Sequence, residues 1–133
     1  MAAILDPNVA WSDICALYAD AATQQALLSR QDEDELDVVL HLFAHWAAAQ
    51  GHALDATALA QAEALVAPWR TQVIAPLRTL RRAMKTLAGD TARREAVRDR
   101  VQSAELAAER AQVEMLCEWL QARREGARHG DAL

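Results

Sequence analysis

Glycine, proline and the phenyl-type aromatics are scarce in this chain. Among 133 residues there are four Gly, three Pro, one Phe and one Tyr, and only two Cys. So little Gly and Pro, with a quarter of the residues charged, argues against a disordered or fibrous chain and for a soluble helical one. Two cysteines, Cys15 and Cys117, cannot build a disulfide framework, and neither has a second Cys or a His at metal-ligand spacing. No apolar run approaches the roughly 18 residues needed to span a membrane. The opening residues, MAAILDPNVA, lack a basic region, and Asp6-Pro7 interrupts their short apolar run, so no leader is expected. The expectation is a cytoplasmic protein with reduced thiols. Also missing are a phosphate-cradling Gly loop, a nucleophile elbow and a convincing catalytic triad. Ser12, Ser29 and Ser103 read as helical or capping residues.

What the chain does have is alanine-rich apolar content, 53% in all, with four Trp. Its length suits one domain able to bury about two thirds of its unfolded surface. The net charge of −5 is unevenly shared: residues 1–67 hold ten acids against Arg30 alone, giving −9, and the remainder is +4. Opposite halves of a small domain attract, so part of this asymmetry is expected to be settled internally.

The chain is organised around residues 68–85, PWRTQVIAPLRTLRRAMK, with five basic residues and no acid. At about 100° per residue, Arg70, Arg78, Arg81, Arg82 and Lys85 fall within roughly a third of a helical circle. Trp69, Val73, Leu77, Leu80, Met84 and Leu87 gather on a separate arc. The pattern predicts one helix with an apolar face and a basic stripe beside it, kinked or broken before Pro76.

Taken in order, Asp6-Pro7 starts a helix whose inner face is Val9, Trp11, Ile14, Leu17 and Tyr18. Asp20 ends it and caps a short second helix holding Ala26, Leu27 and Leu28. The acidic run Asp32-Glu33-Asp34-Glu35 then favours the positive end of a third helix, about residues 36–50. Leu36, Val38, Val39, Leu40, Leu42, Phe43, Trp46 and Ala47 cover more than half of its circumference, which places it at the centre. Gly51 fits a left-handed stop. Asp55 caps a fourth helix through Leu59, Leu65 and Val66 to near Pro68, and the basic helix follows. After Gly89, Asp90 caps a last helix to about residue 124, and residues 126–133 are expected to fray.

That last helix would span roughly 50 Å, against a diameter of about 36 Å for a globule of this length. It must bend or project. Its seam, Val97, Val101, Ala104, Ala108, Ala111, Met115, Trp119 and Ala122, suits either a partner helix or a bent helix packed in its own domain.

Leu28-Ser29-Arg30-Gln31-Asp32, Leu36-Asp37-Val38, Leu42-Phe43 and Trp46 open a longer pattern. It runs on through Gly51 to Trp69-Arg70, Val73-Ile74, Pro76-Leu77-Arg78, Arg81-Arg82 and Lys85, with Glu109-Arg110 beyond. Over most of residues 11–115 the chain resembles a small, mainly proteobacterial family catalogued as a domain of unknown function. The Trp-Arg to Arg-Arg-x-x-Lys block is the most specific part. The family pattern has a Gly before Leu36-Asp37 and an Asn after Asp-Val, where this chain has Glu35 and Val39. The resemblance implies a compact helical protein and no particular activity.

The basic stripe has two readings. Arg forks bind carboxylate and phosphate, so the stripe could hold an anion or an acidic partner. Equally, it could pair internally with residues 32–37. Nucleic acid is disfavoured because the chain is net negative. Asp37, His41 and His45 stand at i, i+4 and i+8 on one helix face and could grip a metal. No Glu follows the first His, however, and all three ligands would come from a single helix, which favours ordinary polar packing. Asp37 alone reads as a capping acid or one end of a salt bridge to the arginines. Trp119, with Met115 nearby, is the candidate interface anchor on the last helix.

The fold expected is all-α, a single compact bundle of five or six helices over residues 1–133 with a long C-terminal helix. The function expected is non-enzymatic. The chain would be an interaction or regulatory module binding a protein partner, or forming a homodimer, through the C-terminal helix, with no cofactor and no membrane. The alternatives are a binder or enzyme for an anionic or phosphorylated small molecule between Asp37 and the Arg cluster, and a metal protein using Asp37, His41 and His45.

Overall fold

The computed structural model describes residues 5–19 and 37–132, with side chains as far as residue 126. The expected second helix, the acidic run at 32–35 and residue 36 lie outside the described residues. What is described is helical, with no strand among the described residues. In order these are α1 (Pro7–Ala19), α2 (Val38–Ala49), α3 (Ala56–Trp69), a π-helical turn (Arg70–Ile74), α4 (Ala75–Lys85) and α5 (Thr91–Ala132). Because α3, the π turn and α4 run on without a gap, the described residues make four helical rods rather than five or six.

The starts follow local chemistry. Asp6 Oδ1 accepts the Asn8 N–H at 2.9 Å beside Pro7, whose missing N–H costs nothing in a first turn. Asp37 Oδ1 accepts from Leu40 N–H at 3.0 Å, and Asp55 Oδ1 from Ala58 N–H at 2.7 Å. Asp90 does the same for Arg93 N–H at 3.1 Å. At the end of α2, Gly51 takes φ +86°, and the His52 and Gly51 amides return to the Ala47 and Ala48 carbonyls at 2.8 and 3.0 Å. That is a Schellman stop, which needs a residue without a Cβ penalty in the left-handed region.

Of the kink or break expected before Pro76, no break occurs, but the α-helical pattern is interrupted there. Proline lacks the N–H for an i→i−4 bond, and its ring crowds the carbonyl four residues back. A π turn lies just ahead of it, where the Ala75 N–H reaches Arg70 O instead, and the helix continues.

The core is built on α2, with Val38, Val39, Leu40, Leu42, Phe43, Trp46 and Ala47 all buried, as its all-round apolarity implies. Phe43 is fully enclosed, and its ring lies 5.9 Å from that of Trp46 in a tilted pair. Ala10, Ala47 and Ala62 have no exposed surface, and small residues at these positions let the helix backbones approach closely. From α1 the core receives Ala10 and Ile14, with Trp11, Leu17 and Tyr18 packed at its edge, while Val9 is exposed. From α3 it receives Ala62 and Val66 rather than Leu59 and Leu65, which face outward.

The long helix turns inward a face rotated from, though overlapping, the one its apolar spacing suggested. Glu105, Ala108, Gln112, Val113, Leu116, Cys117 and Leu120 are buried; Ala108 belongs to the expected seam, while Glu105, Gln112, Leu116 and Leu120 lie one residue on from its members Ala104, Ala111, Met115 and Trp119. Two of these seven are polar, so an apolar pattern could not find the register. At 42 residues, α5 is about 63 Å long. No residue from Thr91 to Ala104 is buried; that part pairs with α4 as a helical hairpin beyond the core.

Candidate functional site

The basic stripe is where sequence and structure differ most. No residue of α4 is buried, and its apolar arc is only partly covered, with Leu77 and Met84 half-buried and Leu80 exposed. It is the arginines that turn toward the rest of the chain, and they meet carboxylates in two networks.

The first network centres on Asp37. Besides capping α2, Asp37 accepts from Arg70 Nη1 at 2.7 Å and from Gln112 Nε2 at 3.1 and 3.3 Å. Arg70, in the π turn, also grips Glu63 of α3 with both terminal nitrogens. The hydrogen bond to Glu63 first, then the hydrogen bond to Asp37 and its charge, raise the Arg70 pKa against the opposing effect of burial, so the guanidinium is permanently charged. One residue back, the Trp69 indole N–H donates to the Ala108 carbonyl at 2.9 Å and ties the π turn to α5. The widened turn thus sets two adjacent side chains on two elements, Arg70 on α2 and Trp69 on α5.

The second network lies across the hairpin. Glu105, 5% exposed, accepts from Arg81 Nε at 2.5 Å and Arg78 Nε at 3.0 Å, and Arg78 reaches Glu109 at 3.4 Å. The two glutamates, one turn apart, are pushed in opposite directions. Burial raises the Glu105 pKa, but the hydrogen bonds from Arg81 and Arg78 outweigh it and leave the carboxyl below its usual range. Glu109 lies higher than usual, because burial dominates and Glu105 repels its charge, with Arg78 only partly compensating. Tyr18 of α1 is raised by burial and then by Glu109.

Of the residues singled out in sequence, Asp37, Arg70, Arg78, Arg81 and Arg82 are therefore brought close together. A cavity of about 220 Å³ lies between Asp37, Arg70, Arg78, Arg82 and Gln112. A larger one, about 470 Å³ and mainly apolar, opens between α1, α2 and the hairpin, lined by Trp11, Tyr18, Leu42, Arg81 and Leu106 among others. Lys85 is exposed in the last turn of α4. His41 and His45 are exposed while Asp37 is turned to Arg70 and Gln112, and among the described residues no three His, Cys, Asp or Glu gather as metal ligands. Trp119 is half-buried against the core with the Arg123 guanidinium 5.9 Å from its ring centroid, and Met115 is half-buried on the same helix.

Sequence reasoning missed Glu105, Glu109, Gln112 and Glu63. Internal pairing of the stripe with residues 32–37 is met at Arg70–Asp37; for Arg78 and Arg81 the partners among the described residues come from α5. The signal was present: Glu105 and Glu109 at i, i+4 face an i, i+3 arginine pair across the Gly89–Asp90 turn. Only the antiparallel hairpin makes the two spacings meet.

The chain belongs to a family described as a protein of unknown function, DUF2390, whose model matches residues 9–116. The match runs from α1 to Leu116 and takes in both networks. No curated protein and no solved structure matches the chain. No helix among the described residues is long and apolar enough to cross a membrane.

Proposed function

We propose that the chain is a non-enzymatic interaction module that works through helical faces. The observation that carries this reading is the state of the arginines. Arg70, Arg78 and Arg81 each already bond a carboxylate of the same chain. An anion-binding or catalytic arginine must keep its fork for a ligand, and these would have to break charge-assisted bonds first. Meanwhile Leu80, Leu87 and Val97 stand about half exposed on the hairpin, where no core needs them. The networks fix the hairpin's attitude, and the hairpin offers the surface.

A second reading is supported by one feature, the cavity between Asp37 and the arginines, which suits a small anion. Thermal unfolding of the full chain in phosphate or citrate, against chloride at equal ionic strength, separates the two. Under the interaction reading the melting temperatures agree within about 1 °C, and cross-linking in cells recovers one stoichiometric protein partner. A rise of several degrees that Arg82→Ala abolishes would overturn it in favour of the small-molecule site.

A further inference from the structure

We propose that the outer face of the α4–α5 hairpin is the docking surface, and that its occupant is an acidic amphipathic helix of another protein. This rests on the interaction-module reading and names its surface and the chemistry of its partner.

The hairpin has two sides. Arg82 of α4 and Leu106 of α5 line the cavity that opens toward α1 and α2. Leu80 lies about 200° around the helix from Arg82, and Val97 about 180° from Leu106, so both point to the opposite side. Leu80 is 48% exposed and Val97 52%, and Ala104 and Arg100 are exposed as well. Two antiparallel helices with small and aliphatic residues along a shared outer edge form a groove into which a third helix can pack.

Charge decides what that helix is. Residues 75–104 hold eight basic residues and three acids, a net +5 in a chain of −5. Counting Glu105 and Glu109, which neutralise Arg78 and Arg81, still leaves +3. The outer face itself carries Arg100, and Arg93, 89% exposed and 3.3 Å from the half-exposed Asp90, an exposed pair that a partner's acid can replace at little cost. A second copy meeting this face with its own would bring two positive hairpins together, which opposes a symmetric dimer. Nucleic acid fits poorly as well. Residues 75–104 contain no aromatic residue to stack a base, and the centre of the face is aliphatic. An acidic helix with an apolar stripe matches both the centre and the rim.

The test is a selection of helical peptides, randomised at both apolar and polar positions, on the immobilised full-length chain. The variant is Leu80→Glu/Val97→Glu, both sites exposed, and the control is Ala48→Glu/Ala122→Glu, which adds the same charge elsewhere. Circular dichroism and melting temperature establish that all three are folded. The expected pool is net acidic, with apolar residues at i, i+3 or i+4, and i+7. Its members should lose about tenfold or more in affinity on the Leu80→Glu/Val97→Glu variant and less than twofold on the control. A neutral or basic pool, or one indifferent to Leu80→Glu/Val97→Glu, would overturn the proposal. So would a concentration-dependent dimer in sedimentation that this variant alone dissolves. A pool that maps elsewhere on the chain sinks this inference and leaves the interaction module standing, whereas no enrichment over an unrelated helical protein sinks both.

Discussion

Gln112 gives its side-chain amide to both carboxylate oxygens of Asp37, at 3.1 and 3.3 Å, from 75 residues away in sequence. The amide is completely buried, and its carbonyl Oε1 has no partner among the described residues. Asp37 is thus held at once by its own helix, by the π turn and by the long helix. It joins three elements at the edge of the core.

That convergence ranks three substitutions. Asp37→Ala removes a cap, worth about 1 kcal/mol, and leaves Arg70 and Gln112 short of a partner, so a loss of about 2–4 kcal/mol is expected. Asp37→Asn keeps an acceptor for the cap and should cost visibly less. Gln112→Leu removes a donor but also a buried carbonyl, and is expected to cost no more than about 1–2 kcal/mol. Urea unfolding followed by circular dichroism gives the order directly; equal losses for Asp37→Ala and Asp37→Asn would mean that the cap contributes nothing.

Glu105 and Glu109 should respond to pH with opposite signs. The folded-state pKa of Glu105 is lowered from 4.5, so its contribution is full above that value and is lost as pH falls through the lowered one. Glu105→Gln therefore destabilises at pH 7, and the gap to wild type closes in acid. For Glu109 the folded pKa is raised from 4.5, so the folded state is favoured by the protonated form and loses stability as pH rises through the raised value. Glu109→Gln is expected to gain relative to wild type as pH rises from 4.5 through that raised value. Stability curves of the three proteins from neutral pH into acid well below 4.5 check both signs.

Pro76 requires the π turn ahead of it, and deletion tests this. A π turn holds one residue more than the α-helix needs. Removing the exposed Gln72 together with Pro76→Ala should yield a folded protein with an unbroken α-helix. Removing Gln72 alone forces the proline ring onto a carbonyl and is expected to cost about 3 kcal/mol more. Melting temperatures of the two deletions decide the matter, and equal values would show that Pro76 does not require the turn.

The two thiols should separate cleanly. Cys117 is buried, and burial first, then nearby acids, push its pKa up to about 11. It should stay silent to a disulfide reagent until the whole protein unfolds. Cys15 is exposed and reacts in the folded state, though slowly at neutral pH, because partial burial and Glu109 raise its thiol as well. Reaction stoichiometry with and without denaturant, one thiol against two, is the measurement.

Short-range chemistry in this chain was legible. Asp6-Pro7, Asp55, Gly51 and Asp90 act within a turn of themselves, so their spacing alone placed the helix ends. The central place of α2 followed because Val38 to Ala47 is apolar almost all round and has no wet face to offer. What the sequence could not determine was rotation. A helix such as α5, whose buried strip includes Glu105 and Gln112, has no apolar pattern that marks its inner side. Which face turns in is decided by what Arg78, Arg81 and Asp37 present to it. Likewise internal pairing of the α4 arginines could be expected but their partners could not be named, because these lie 24 to 31 residues away and only an antiparallel hairpin brings them within hydrogen-bond reach. Local backbone rules belong to the sequence; the pairing of buried charges belongs to the tertiary structure, because the cost of burying each is offset only by the other.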